Sequence, residues 1–138
     1  MALPKTKHAT TNYKAVKPFL DFTDAHGGHY HFTSEGYMDL VIENLGFNDY
    51  EGRAVYSLTH YGELNGDLMC DPDMTIAVDN ITGRIIPRTY RQDYLGFFQE
   101  VFINKDGKQL YSHRLLVDLD EFLYMWLKNI KDQGFKAA

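Results

Sequence analysis

Three connectors, at residues 48–52, 80–83 and 104–107, each join Asn or Asp to a closing glycine between runs rich in β-branched and aromatic residues. The Asx side chain bonds the turn backbone, and the glycine takes the positive φ that ends it. A connector this short returns the chain only to an antiparallel neighbour, because a parallel crossover needs roughly a dozen residues or more. The runs at residues 29–32, 37–45, 53–61, 73–79, 84–90, 96–104 and 109–113 therefore predict an antiparallel meander of about five to six strands. Alternation such as Val78 with Ile85, and Val101 with Ile103, gives the meander one buried side.

The C-terminal segment carries the other strong pattern. Leu119, Phe122, Leu123, Trp126, Leu127 and Ile130 fall at helical spacing and draw one apolar stripe. Asp118 with Glu121 suits a capping box, and Gly134 before Phe135 suits a glycine-terminated end, so a helix is expected over residues 118–133 with Trp126 in the core. A first helix is expected over residues 13–26 and ends at Gly27-Gly28. Its start falls nearer Lys17, because Pro18 in a helix interior would cost about 3 kcal/mol. Residues 1–12 are polar without apolar periodicity and read as a flexible tail. The expected fold is a single α+β domain over residues 13–135: an antiparallel meander with an N-terminal and a C-terminal helix packed on one face.

Charge is unevenly spread. Of the 19 Asp and Glu in the chain, ten lie between Glu35 and Asp79, where Arg53 is the one Lys or Arg. This disfavours phosphate binding by the middle segment and suits a cation or a basic protein surface. The single cysteine, Cys70, forms no internal disulfide. The N-terminal residues lack the apolar centre of a secretory signal, and no apolar run approaches the roughly 20 residues that span a bilayer. The expectation is a cytoplasmic protein with no membrane association.

The densest polar stretch is 60–74, where His60, Glu63, Asn65, Asp67, Asp71 and Asp73 sit between two strand-like runs, followed later by Gln92 and Asp93. These eight are the candidate binding residues. The reading most consistent with turn chemistry is a long hairpin in which Asn65-Gly66 makes the turn and Asp71-Pro72 breaks the returning strand. A cation site is the chemical alternative, although the loop lacks the glycine and terminal glutamate of a calcium-binding helix-loop-helix. Gln92 and Asp93 would join His60 and Asn65 if the strands are adjacent. His29 and His31 point to one strand face and suit its solvated side. No nucleophile elbow and no phosphate-binding glycine loop occurs, so no catalytic residue, metal or cofactor is assigned.

The two stretches together, with Gly36 to Glu43 before them and Trp126 to Phe135 after, resemble a family of unknown function carried by phages, plasmids and conjugative elements. The shared pattern is H-Y-x-E-x-N-G-D-L-M-x-D-P followed by Q-D-x-L-G, with Gly62 standing where a bulkier residue is more usual. That resemblance implies a mobile-element accessory protein and no activity. The charge then suggests a non-enzymatic binder of a basic protein surface, such as an inhibitor of a host defence system (CRISPR or restriction). The rivals are a metal-binding domain or metal-dependent hydrolase built on the 60–73 loop, and a nucleic-acid binder using Arg84, Arg88 and Arg91 with Tyr90 and Tyr94.

Overall fold

The computed structural model describes residues 3–64 and 66–137. Along the chain lie α1 (Ala9–Ala25), β1 (His29–Thr33), β2 (Leu40–Asn48), β3 (Ala54–Leu64), β4 (Asp67–Asp79) and β5 (Arg84–Gln92). A 3-10 turn at Asp93–Leu95 leads to β6 (Phe97–Glu100), β7 (Phe102–Lys105) and β8 (Lys108–Tyr111), then α2 (His113–Asp132) and β9 (Lys136–Ala137). Among the described residues, seven strands form one sheet in the order β6-β5-β4-β3-β2-β1-β9, while β7 and β8 form a separate ribbon. Every pairing is antiparallel. This is the single α+β domain, with its N- and C-terminal helices, that the connectors and the apolar stripe predict.

The core follows from strand alternation. Leu40, Ile42, Leu58, Met74 and Ile76 are essentially unexposed and share one face of β2–β4, against which α1 sets Val16 and Leu20. From α2 come Leu119, Leu123, Trp126 and Ile130, the stripe read from the sequence. Each such side chain contributes about 1.5–3 kcal/mol on burial. Phe135 closes α2 as expected: its N–H reaches back to the Ile130 carbonyl, and Gly134 takes φ 73°.

Four expectations give way. First, α1 begins at Ala9 and runs through Pro18, because the burial of Val16, Leu20 and Thr23 on either side of the proline offsets its missing N–H. Second, the described part of the supposed tail is held down. Asp120, 1% exposed, accepts from Thr6 Oγ1 (2.6 Å) and the His8 N–H (2.9 Å), and the His8 ring stacks on Tyr124 at 4.0 Å. Third, α2 starts at His113, not 118. Ser112 is its N-cap and accepts from the Leu115 N–H at 3.2 Å, while Leu116 extends the apolar stripe one turn back. Fourth, the run at 96–104 is not one strand. Val101 donates to Arg88 at the end of β6, and the chain then leaves the sheet for a hairpin closed by Asp106 and Gly107, both at positive φ.

Candidate functional site

β3 and β4 are longer than their neighbours. Pairing of β2 with β3 stops at Leu40 and His60, and pairing of β4 with β5 stops at Asp73 and Arg91, yet β3 and β4 stay paired from Tyr61 and Cys70 out to Leu64 and Asp67. The acidic stretch is thus a two-stranded ribbon overhanging the sheet. Asn65 lies outside the described residues, as do the side chains of Glu63 and Asp67. Asp71 and Pro72 do not break β4. They form a bulge opposite His60, with a cis Asp71-Pro72 peptide, and a bulge is where a strand accommodates a residue that has no N–H to donate.

The candidate residues separate onto different surfaces. His60 faces the helices: its ring lies 5.4 Å from that of Trp126 and 5.5 Å from that of Phe135. Its Nδ1 is 3.2 Å from each of the Met38 and Asp39 carbonyls, and burial lowers its pKa against the opposing pull of those bonds and of Asp71. Asp73 points to the opposite face, accepts from Thr59 Oγ1 at 2.8 Å, and has its pKa raised by burial.

Asp93 serves as a brace. Arg91 Nε donates to it at 2.7 Å, the Cys70 N–H donates at 2.7 Å, and these bonds hold its pKa at about 2. Gln92 bonds the Tyr90 hydroxyl, and its Oε1 has no partner among the described residues. Among the described residues no hydrogen bond joins Gln92 or Asp93 to His60: alternation sends Asp93 to the Arg91 face, and Gln92, on the helix face with Tyr90, bonds that hydroxyl instead. Among the described residues, no group of three or more His, Cys, Asp or Glu is arranged to hold a metal. The arginine stripe is also engaged: Arg84 Nε lies 3.6 Å from Asp79, Arg91 is paired with Asp93, and Arg88 sits over the Phe47 ring at 5.9 Å.

A larger feature lies on the face away from the helices. There β1, β2 and β3 floor a groove of about 610 Å³ bounded by His29, His31, Asp39, Glu43, Thr59 and Tyr61. Among the described residues, no Lys or Arg contributes to its lining. His31 Nδ1 lies 3.5 Å from Asp39, and the rings of His29 and His31 are 5.3 Å apart. The sequence reading placed the two histidines on a solvated strand face, and they are exposed. It overlooked the groove itself. The signal was the alternation of polar residues at Ser57, Thr59 and Tyr61 beside Glu43, which opposes Ser57 in the β2–β3 register.

A family model described as "Domain of unknown function (DUF6908)" matches residues 13–136. No curated protein and no solved structure matches the chain. No helix among the described residues is long and apolar enough to cross a membrane.

Proposed function

Because the chain belongs to the DUF6908 family, a domain family of unknown function, we propose from its surface chemistry that it is a non-enzymatic binding module for a protein partner with a basic surface. The observation that carries this reading is the groove on the helix-free face, which Asp39, Glu43 and Tyr61 line together with no lysine or arginine among the described residues of the lining. A Lys or Arg side chain entering it gains a carboxylate and an aromatic face together. The overhanging acidic ribbon adds long-range attraction that speeds encounter. The proposed binding surface then consists of the groove, the ribbon that carries Glu63 and Asp67, and Asp71 and Asp73 at the ribbon's base, not a single loop. With the mobile-element setting that the sequence resemblance implies, the reading becomes an accessory protein in the host cytoplasm. It would occupy a basic, nucleic-acid-binding surface of a defence complex. Engagement of Arg84 and Arg91 by carboxylates speaks against direct nucleic-acid binding.

The test is affinity capture from host lysate with tagged protein, then kinetics on the captured partner. Asp39→Lys with Glu43→Lys should slow association at least tenfold at low salt, with the loss shrinking as salt rises. A captured partner whose association is unaffected by both reversals would refute the groove as its seat. Salt-dependent oligonucleotide binding lost on Arg88→Ala would favour the nucleic-acid alternative.

A further inference from the structure

His60 stands apart from the groove, on the opposite face of the sheet, and it lines a second cavity of about 280 Å³ at the seam between α2 and the sheet. The walls are Tyr37, Met38, Pro72, Phe122 and Trp126, with Asn129 and Gln133 also contributing. Met125, 51% exposed, also lines it. We propose that this cavity binds a small uncharged aromatic ring carrying a hydroxyl group, a phenol, with the hydroxyl donating to Nε2 of His60.

Three features select that chemistry. Among the described residues the lining contains no Asp, Glu, Lys or Arg, so an ionic ligand would shed its hydration without a counter-charge. The volume falls at the lower end for ligand pockets, which fits one ring better than an extended molecule. Ring faces and the sulfurs of Met38 and Met125 favour an aromatic occupant.

The hydroxyl follows from the tautomer of His60. Both groups at Nδ1 are carbonyl oxygens, those of Met38 and Asp39, so Nδ1 carries the proton and donates. Nε2 is then left with a lone pair and acts as an acceptor. Burial holds the ring neutral, which preserves that lone pair at physiological pH. A ring that brings an O–H satisfies this acceptor, and the same ring without a donor leaves it unanswered. Tyr37 and Met38 border both this cavity and the groove, but the assignment rests on His60, which does not line the groove, and is tested separately from it.

Trp126 is the only tryptophan of the chain and lines the cavity, so its emission, excited where phenols absorb little, reports occupancy directly. The probes are 4-methylphenol and 4-fluorotoluene, matched in shape but not in hydrogen-bond donation. The expected result is a saturable change with 4-methylphenol and binding about fivefold weaker for 4-fluorotoluene, the ratio for one net hydrogen bond.

Two variants locate the acceptor. His60→Asn keeps a donor near the Nδ1 position but loses the distal acceptor, and should bring 4-methylphenol down to the 4-fluorotoluene level. His60→Gln reaches the Nε2 position and should retain most of the preference. Circular dichroism of both confirms the fold, and Met125→Gln, at an exposed wall, provides a further folded variant with weaker binding. Equal affinity for the two probes, no saturable change, or an undiminished preference in His60→Asn would overturn the proposal. A capped tyrosine dipeptide separates the sources: binding as tight as 4-methylphenol assigns the ring to a tyrosine of a partner chain, and exclusion of the dipeptide assigns it to a free phenol.

Discussion

Asp120 allows the sharpest test of how the N-terminal residues are held. Its carboxylate is 1% exposed and accepts two hydrogen bonds from residues more than a hundred positions away, Thr6 Oγ1 and the His8 N–H. Its backbone carbonyl takes a third from Asn12 Nδ2 at 3.3 Å, which a side-chain change leaves in place. Hydrogen bonds to a charged group contribute about 1.5–3 kcal/mol each. The two give roughly 3–6, from which relief of a buried carboxylate's desolvation subtracts about 1–2 kcal/mol. Asp120→Ala should thus destabilise the fold by about 2–4 kcal/mol, whereas Asp120→Asn, which keeps one acceptor for the His8 N–H, should cost about 1. Urea unfolding followed by Trp126 emission measures both, and an unchanged m-value certifies that stability alone has moved. Hydrogen exchange at the His8 amide should accelerate in the Ala variant. A loss below about 0.5 kcal/mol, the range of ordinary surface changes, with no change in that exchange rate would refute the argument.

Asp73 behaves in the opposite sense. Because burial raises its pKa, the stability it supports is fullest below its unfolded value and declines as pH rises through the folded one; Asp73→Asn should therefore match or exceed the parent melting temperature at pH 7, with the difference closing near pH 3. His60 titrates with the reverse sign: its pKa is lowered in the fold, so its contribution is complete above the unfolded value of about 6.5 and is lost as pH falls below it, and the parent should show a stability step there that His60→Gln lacks. Cys70 is 7% exposed with its thiol pushed up to about 11 by burial, so alkylation at pH 8 should run about a hundredfold slower in the native protein than in urea. At Gly62 an added Cβ would meet Tyr94 Oη at 2.6 Å and Met38 Sδ at 3.0 Å, both ends of flexible side chains, so Gly62→Ala should cost no more than about 1 kcal/mol in urea unfolding.

What the sequence made legible was periodic and local. The α2 stripe, its Gly134-Phe135 end and the strand runs all depend on spacing within one element, and these appear at or near their expected places except for the run at 96–104, which divides between two sheets. What it hid depends on partners distant in the chain. The docking of Thr6 and His8 uses a carboxylate at position 120, invisible to any window around residue 8. Pro18 argued for a late start to α1 because a single-residue cost is visible in sequence and the tertiary burial that offsets it is not. The site divided for a related reason. Density of polar residues between 60 and 74 suggested one centre, yet strand alternation sends His60 and Asp73 to opposite faces, and Asp93 is committed to the Cys70 N–H and Arg91. The groove draws on three strands and a connecting segment, so no contiguous stretch spells it.

The overhang of β3 and β4 gives the molecule a lever. A two-stranded ribbon with no further strand paired beside it is held only where the wide sheet ends, and on one flank its footing is the clasp of Asp93 on the Cys70 amide. Tyr94, from the same 3-10 turn as Asp93, and Met38 close in on Gly62, which has no side chain to hold them off. Force applied near the tip is therefore resolved into torque at residues 60–62 and 70–73, which border both the cavity of His60 and the groove floored by Thr59 and Tyr61. The base of the ribbon, only a few residues wide, is thus common ground to two recesses on opposite faces of the sheet.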